Sequence, residues 1–549
     1  MLKPDEIEAI RDKAESVTNE LTEYLLRDIT RRILEAASMT STASYQLYIT
    51  EMLGSGCRRL RRELQKRTGK SARQIKRLLK QAAETSYGDD IRRLSAGIPF
   101  EKNDNVQQII AAESKLADES FRNITQTLGF VDPYGHASEL TDAYRKCCDF
   151  AFNQVAFGAT DYNTAVRQAT KNLADKGVRV IDYDSGTHTS AEAAVRRNIM
   201  SGLGSMNEKI SEQNHDDMGA NGWEISAHAA SAPDHELIQG RQYTDAAYQR
   251  LNNSLVRRIG TLNCGHTAFP IVLGVSQPQY TEEQLDRMRQ ENETGVTVNG
   301  RHYTTYEATQ RQRAMERAMR KQKRRIVVDE AAGDDDKLLT DQIRLGQQNA
   351  QYRSFSRAAR LRTQEERANV AGFTAKQGMA ASKLAQQEHT KWLKSIGAEN
   401  SDLKTLDKYY ESKYDNSPAY QLLTGYNRAV EKGDISPLVS LEVYQQTAHE
   451  IQSRIVGQMT STGIQIDGFA THFIDRIIGQ TSTPHAGMRC GVSIDDALDA
   501  LQNPVKVGEA RLLDDGDVRQ TLYGKSACVT FSIRDKKLIQ TNPWKENKP

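Results

Sequence analysis

Several features that define whole classes of protein are missing from this 549-residue chain. No stretch approaches the ~20 consecutive apolar residues that a membrane-spanning helix requires. The first residues lack a basic segment followed by an apolar one, so we expect neither secretion nor membrane insertion. No GxxxxGK[ST] phosphate loop occurs, and nucleoside triphosphate hydrolysis is therefore not indicated.

Cysteine, proline and aromatic residues are also scarce. The six cysteines are scattered along the chain, unlike the dense framework of a small disulfide-rich protein, so we expect reduced thiols and synthesis in a cytoplasm. Only 12 prolines interrupt the sequence, which favours long helices, and only 7% of residues are aromatic. The length allows three or four domains.

Charge is nearly balanced overall but unevenly placed. The net charge of +2 is too small to indicate nucleic-acid binding by the whole chain. Residues 58–80, however, hold eleven Lys/Arg and one acid, and residues 311–325 hold eight and one. Either segment could face DNA, and residues 58–80 could instead dock on an acidic protein surface or form a solvated helix face. No aromatic residues interleave with them, so base stacking on single strands is not indicated.

Periodicity divides the chain into four predicted domains. Residues 1–160 carry helical patterns, residues 161–275 mix strands with helices, and residues 276–400 return to charged helices that we expect to be extended and exposed. Residues 401–549 form a C-terminal domain. The predicted fold class is multidomain and mainly α, with an α+β core and a small α+β C-terminal domain in which helices precede an antiparallel sheet.

Local signals place several element ends. Ser190 and Ser493 are predicted N-caps of helices, and a break is expected at residues 68–69 within the first basic segment. Residues 527–535 alternate between apolar and polar, as a strand with one buried face does.

Four potential metal ligands occur close together in the α+β region. Their spacing is H-x6-H-x28-C-x-H: His228, His235, Cys264 and His266. Tetrahedral Zn²⁺ accepts such ligands, so the pattern predicts a structural zinc that joins two segments. The spacing matches no standard zinc finger, and the alternative is that these side chains support tight turns near Gly240 and Gly265 by hydrogen bonding. Glu224 and Glu236 are loose candidates for the base of a catalytic metal site, which we disfavour.

The same region carries a family resemblance. EISAHAASAPDHELIQG at 224–240 is followed by NCGHTAFP at 263–270 and by GRHYTTYEATQRQRAMERAMRKQKR at 300–324. YDSG at 183–186 and the Arg196-Arg197 pair add further matches. These blocks resemble phage minor capsid protein 2, a family akin to the Mu F-type head morphogenesis proteins, over roughly residues 100–370.

Two positions depart from that family's pattern. Ser231 stands where many relatives have Arg, and Ile238 stands where Trp is expected. The resemblance implies a structural protein of the virion, present in few copies inside the capsid near the portal and made in the bacterial cytoplasm. Its implied partners are portal, major capsid or scaffold proteins and, through the basic helices, packaged DNA.

The C-terminal domain carries a second resemblance. An H-x-x-x-R pair formed by His472 and Arg476, RCGVS at 489–493, ALQNP at 500–504 and a terminal TNP resemble the barnase–EndoU–colicin E5/D–RelE-like nucleases. Such domains are often fused behind minor head proteins. The resemblance implies metal-independent RNA cleavage and adds three further candidate residues: Arg489, Tyr523 and Thr541.

The residues themselves leave the activity open. His472 suits proton transfer near neutral pH, and Arg476 lies one helical turn further on the same face. The alternatives are an ordinary solvated His/Arg pair and a purely structural adaptor or plug at the portal. An ADP-ribosyltransferase would need Ser-Thr-Ser followed by Glu-x-Glu. Thr481-Ser482-Thr483 approaches the first motif, but no Glu-x-Glu follows it, and we discount that activity.

Overall fold

The computed structural model describes residues 9–10, 13–14, 17–94, 99–182, 187–261, 264–481 and 488–545. The YDSG block at 183–186 and the segment 482–487 lie outside the described residues. The chain forms two compact units: Met1–Thr297 with Arg301–Ala385, and Val298–Gly300 with Gln386–Pro549. The second unit contains the predicted C-terminal domain.

Helices dominate, as the predicted fold class requires. The α-helices are α1 (Asn19–Ala37), α2 (Thr42–Glu51), α3 (Cys57–Leu94), α4 (Asp104–Gln126), α5 (Leu140–Ala156), α6 (Tyr162–Lys176), α7 (Ala191–Met218), α8 (Pro233–Glu236), α9 (Asp245–Ser254), α10 (Glu282–Thr294), α11 (Thr305–Ala332), α12 (Asp335–Ala358), α13 (Ala375–Ser395), α14 (Leu406–Tyr414), α15 (Pro418–Glu431), α16 (Leu441–Arg454), α17 (Thr471–Ile478) and α18 (Ile494–Gln502). A π-helical turn, Met52–Gly56, joins α2 to α3.

The strands are short in the first unit and longer at the end of the second. They are β1 (Leu128–Val131), β2 (Ala137–Glu139), β3 (Arg179–Ile181), β4 (His188–Ser190), β5 (Gly222–Ile225), β6 (Gln242–Thr244), β7 (Ala268–Ile271), β8 (Val296–Val298), β9 (Arg301–Tyr303), β10 (Gly468–Phe469), β11 (Lys506–Val507), β12 (Arg511–Leu512), β13 (Val518–Tyr523), β14 (Ala527–Ser532) and β15 (Lys537–Pro543).

The core of the first unit is built on α1. Leu21, Leu25, Ile29 and Ile33 recur every fourth residue and form one buried face, which packs with α5 and α6. Each such side chain contributes about 1.5–3 kcal/mol when it is fully buried. A second helical cluster joins α3, α4 and α7.

Two small antiparallel sheets belong to the first unit. One has the strand order β2-β1-β3-β4, and the other has the order β6-β5-β7. Ser190 caps α7 as predicted, since its side chain accepts a hydrogen bond from the Ala193 N–H. Every residue of β5 is buried, because β6 and β7 flank it and α9 covers it.

The charged helices are packed together, which corrects the expectation that they are extended and exposed. α11 packs along α12 and also contacts α1 and α6. Met319 and Ile326 on α11 are buried with Leu345 and Tyr352 on α12. A short turn separates the two helices, and in it Gly333 adopts a φ of +66°.

The second unit has an α+β fold in which helices precede a sheet. Its sheet has the order β10-β15-β14-β13-β11, with β12 also paired to β13. Pairing is antiparallel from β11 to β15, whereas β10 runs parallel to β15. Ser493 caps α18 by accepting a hydrogen bond from Asp496 N–H, and α17 and α18 pack against the sheet. The predicted fold class is confirmed.

None of the described helices is both long and apolar enough to cross a membrane. Five described cysteines are free thiols: Cys147, Cys148, Cys264, Cys490 and Cys528.

Candidate functional site

The histidine and cysteine residues of the first unit lie beside the sheet β6-β5-β7. His235 is on the one-turn helix α8, which begins with a proline at its first position. Cys264 and His266 precede β7, whose pairing with β5 brings residues 264–268 next to the segment that follows β5. Strand pairing therefore closes the long sequence gap between the histidines of the first block and the cysteine.

Three of the four predicted ligands converge. The Sγ atom of Cys264 lies 3.3 Å from Nδ1 of His235 and 3.4 Å from Nδ1 of His266, and the two Nδ1 atoms are 3.4 Å apart. All three side chains are buried. The result is a nearly equilateral triangle of one sulfur and two nitrogen atoms inside the protein.

The outer nitrogens of both rings are held by acceptors. Nε2 of His235 donates to the Arg257 carbonyl oxygen at 2.9 Å, and Nε2 of His266 donates to Oε1 of Gln239 at 2.9 Å. Oε1 of Gln239 also accepts from the backbone N–H of His228, which settles the orientation of the amide. Because each Nε2 carries the ring proton, each Nδ1 presents a lone pair to the triangle.

His228 lies beside this triangle. Its ring stacks on that of His266 with centroids 4.3 Å apart, and its Nδ1 is 2.9 Å from the Ala229 carbonyl oxygen. Gly265 lets the imidazole approach the backbone, since a Cβ there would lie 3.1 Å from Nε2 of His228. Ser231, the departure from the family pattern, places Oγ 3.4 Å from Nε2 of His266.

Burial disfavours charge on Cys264 and His266. It raises the pKa of the Cys264 thiol above its ordinary value. It lowers the pKa of His266 to about 2, and the neighbouring His228, His235 and Arg257 act in the same direction. The His266 ring is therefore uncharged at neutral pH and can offer a lone pair.

The two carboxylates considered for catalysis are engaged elsewhere. Glu224 is buried and accepts hydrogen bonds from Gln242 Nε2 at 3.0 Å and from the Gln279 N–H at 2.8 Å. Glu236 accepts from Asn292 Nδ2 at 3.1 Å. Both carboxylates thus hold neighbouring parts of the fold together by hydrogen bonds. This favours a structural role for the His/Cys cluster over a hydrolytic one.

The first basic segment forms an exposed face of α3. Ten of its eleven basic side chains are exposed, while Leu60, Ile75 and Leu79 point into the core. The expected break at residues 68–69 is absent, because α3 continues through both positions. One glycine costs a helix only about 1 kcal/mol, which packing of the apolar face outweighs.

The second basic segment is used inside the first unit. On α11, Arg324 pairs with Glu192 at 3.5 Å, and Arg325 pairs with Asp175 at 2.5 Å. Nζ of Lys323 donates to the Ala368 carbonyl oxygen at 2.8 Å, and burial lowers the pKa of that lysine. These contacts hold the C-terminal part of this segment against its neighbours, whereas Arg311 and Arg317, nearer its start, are exposed.

In the second unit, α17 carries a hydrogen-bonded chain of side chains. Nδ1 of His472 lies 3.2 Å from Oδ2 of Asp475, and Nε of Arg476 donates to Nε2 of His472 at 3.1 Å. The predicted pair of His472 and Arg476 is therefore in direct contact. A carboxylate on one nitrogen and a donor on the other indicate an imidazole protonated at Nδ1 with its lone pair at Nε2.

Two residues from other helices hold Asp475 in place. Its side chain is fully buried, and Tyr444 donates to Oδ1 at 2.7 Å while Arg428 approaches Oδ2 at 3.3 Å. Burial and the Asp475 charge raise the pKa of Tyr444 well above its usual range, so the phenol stays a donor. Sequence reasoning did not find Asp475, although its position three residues after His472 is a local signal.

The other predicted catalytic residues are placed differently. Arg489 donates to the carbonyl oxygens of Asp475 and Arg476 at 3.2 and 3.3 Å, and it thus caps the end of α17. Burial, and then the Arg476 charge, lower the pKa of Arg489.

Tyr523 and Thr541 lie on the sheet. The Tyr523 ring packs on Trp544 with centroids 5.2 Å apart, and Oγ1 of Thr541 donates to the Cys528 carbonyl oxygen at 2.9 Å. In the described part of this unit, neither residue hydrogen bonds to His472, Arg476 or Arg489. The structure therefore joins three of the five predicted residues.

Asp434 completes a small acidic group that the sequence did not indicate. One ligand atom each from Asp434, His472 and Asp475 lie within 4.8 Å of one another. Asp434 follows α15 and is far from His472 along the chain, so no local spacing could have predicted this proximity. Because Arg428 and Tyr444 already occupy the Asp475 oxygens, this group is poorly suited to bind a cation.

Together, these observations describe a multidomain, mainly helical protein with a small α+β unit in the C-terminal part of the chain. The family model for phage minor capsid protein 2 matches residues 2–356. The chain belongs to this family, and it is a structural component of a phage virion. No curated protein and no solved structure matches it.

Proposed function

We propose that this protein is a minor structural component of a tailed-phage head that lies inside the capsid near the portal and acts in head morphogenesis or in packaging or ejection of DNA. Family membership over residues 2–356 is the observation that carries this proposal. Its partners would be the portal and the major capsid or scaffold proteins.

The exposed face of α3 supports contact with packaged DNA. Ten exposed cations on a helix present a dense positive surface, and the segment contributes only one acid to it. Within the described residues, ion pairs from this segment involve Arg67 with Glu63 and Lys70 with Glu20. The exposed cations would bind phosphates without regard to base sequence.

Mass spectrometry and symmetry-relaxed imaging of purified virions and procapsids test the location. The expected result is a few copies of the chain beside the portal vertex. Absence of the chain from both particles would overturn the structural role in assembly, and an even distribution over the shell would overturn the portal location.

A filter-binding experiment tests the DNA contact. Replacing Arg62, Lys66, Arg73 and Lys76 with Gln should weaken binding of the full chain to duplex DNA. The slope of log K against log salt should fall by up to about 0.9 for each phosphate that the variant no longer neutralises. The matched control removes four exposed cations of α13: Lys376, Lys383, Lys391 and Lys394. Equal effects of the two variants would assign the binding to net charge instead of to α3.

A second function, ribonuclease activity of the C-terminal domain, is favoured by the hydrogen-bonded chain on α17. Nε2 of His472 would take the proton of a ribose 2′-hydroxyl, after Arg476 has moved from this nitrogen to the phosphate. Asp475 would hold the ring orientation and stabilise the imidazolium. The 2′-oxygen would then attack phosphorus, and the leaving 5′-oxygen would take a proton from a water molecule as the P–O bond breaks.

Cleavage of RNA by the full chain tests this second function. We expect the purified protein to cut total RNA or tRNA equally well with and without EDTA, since the Asp475 oxygens are already hydrogen bonded. Activity that requires a divalent cation would instead assign the chemistry to Asp434, His472 and Asp475 as metal ligands. No cleavage and no toxicity in the host would favour a structural adaptor or plug.

A further inference from the structure

We infer that the first unit contains a zinc site formed by Nδ1 of His235, Sγ of Cys264 and Nδ1 of His266. The inference rests on the geometry of this buried cluster and is independent of where the protein lies in the particle. The ligand is a single divalent cation of borderline softness, for which zinc is the common biological choice.

The first argument is distance. Zinc binds nitrogen at about 2.0–2.1 Å and sulfur at about 2.3 Å, and tetrahedral angles then place two nitrogens about 3.4 Å apart and a nitrogen and a sulfur about 3.6 Å apart. The observed separations are 3.4 Å between the nitrogens and 3.3 and 3.4 Å between the sulfur and each nitrogen. The triangle therefore has nearly the dimensions of one face of a zinc tetrahedron.

The second argument is the number of protons. Each Nε2 donates its proton to a fixed acceptor, the Arg257 carbonyl oxygen for His235 and the Gln239 amide oxygen for His266. Both Nδ1 atoms are then acceptors, and the Cys264 thiol has only one hydrogen to give them. Hydrogen bonding alone leaves one nitrogen lone pair facing another, whereas a cation at the centre satisfies all three atoms at once.

The third argument is the shell around the ligands. Metal-binding histidines commonly donate their other ring nitrogen to a carbonyl or carboxylate, which fixes the ring and makes the ligand more basic. Both rings show this arrangement here. The alternative, that the histidines only support turns, explains the outer hydrogen bonds but not the convergence of the three inner atoms.

The fourth corner of the tetrahedron is left to a solvent molecule or to His228, whose ring stacks on His266. A metal ion at this site would hold two segments of the chain together. It would link the one-turn helix α8 to residues 264–268, two segments beside a small local core whose buried residues are Trp223, Ile225, Tyr248 and Ile259. Metal binding would supply stability that this small core lacks.

Elemental analysis of untagged, full-length protein purified under reducing conditions is the direct test. We expect about one zinc per chain, falling below about 0.1 in Cys264→Ser and in His266→Gln. Cys528→Ser, which alters a half-buried thiol in the other unit, is the matched control and should keep its zinc. A wild-type protein that is folded, lacks zinc and takes up none on titration would overturn the inference.

A second measurement covers variants that fail to fold. Wild-type protein stripped of metal and reloaded with Co²⁺ should show a thiolate-to-cobalt charge-transfer band together with the visible bands of tetrahedral cobalt. Addition of a chelator to the zinc form should lower the temperature of its first unfolding transition. If cobalt binds without the thiolate band, Cys264 is not a ligand and the proposed site is wrong.

Discussion

The two histidine clusters in this chain differ in which ring nitrogen donates a hydrogen bond and which one offers a lone pair. In the first unit, His235 and His266 use Nε2 to donate to fixed oxygens and turn Nδ1 toward Cys264. In the second unit, His472 turns Nδ1 toward Asp475, and its Nε2 accepts a hydrogen bond from Arg476. We therefore propose that the same kind of side chain binds a metal in one unit and moves a proton in the other.

The two clusters also differ in how deeply their histidines are buried. His235 and His266 are each 2% exposed, whereas the His472 side chain is 33% exposed. A buried site suits a permanent structural ion, and a partly exposed ring suits a substrate that must bind and leave. Substitutions in one cluster can therefore test its proposed role without altering the other cluster.

The largest effect is expected for His472→Ala. If His472 is the general base, RNA cleavage should fall by about 10²–10⁴-fold while the fold survives, because the side chain is partly exposed. Toxicity on expression in the host should disappear. His449→Ala, an exposed histidine on α16, is the matched control and should change neither. Unchanged cleavage in His472→Ala would remove the proton-transfer role.

A smaller effect is expected for Asp475→Asn, because Asp475 acts through the ring of His472. The amide of the variant no longer favours the His472 tautomer that is protonated at Nδ1, so cleavage should fall on the order of 10²-fold. Nitrogen NMR of the His472 ring should show the Nε2-protonated tautomer gaining population. Loss of activity with the tautomer unchanged would mean that Asp475 supports the fold, through Tyr444 and Arg428, and does not position the histidine.

In the other cluster, Gln239→Ala should weaken zinc binding by about 10–100-fold, the usual consequence of losing a partner behind a metal ligand. The substitution removes the acceptor of the His266 Nε2 proton. Competition with a coloured chelator measures the change, and Gln249→Ala, an exposed glutamine on α9, serves as control. Equal affinities in the wild type and Gln239→Ala would show that this hydrogen bond does not tune the site.

The smallest effect is expected for His228→Ala. A stacked ring pair is worth about 0.5–1.5 kcal/mol, so zinc affinity should fall about two- to tenfold while one zinc per chain is retained. The same competition measurement applies. Loss of zinc as complete as in Cys264→Ser would contradict the stacked role and would make His228 the fourth ligand.

The two basic segments show that charge along the sequence does not predict which cations are exposed in the fold. Both are helices with a similar excess of Lys and Arg, and both were candidates for DNA contact. The face of α3 is exposed, whereas on α11 Arg324 and Arg325 are paired with acids from α7 and α6. Charge counts along a chain carry no information about acidic residues that are distant in sequence.

The sequence by itself determined the mainly helical class, the capped starts at Ser190 and Ser493, the late sheet and the family blocks, because these depend on neighbours within a few residues along the chain. It also named His235, Cys264 and His266. Only the tertiary structure decided which atoms of these side chains converge, that Asp434 approaches His472, and that α11 is packed. Strand pairing and helix packing bring together residues that are tens to hundreds of positions apart, and that physical proximity has no periodic signature in the sequence.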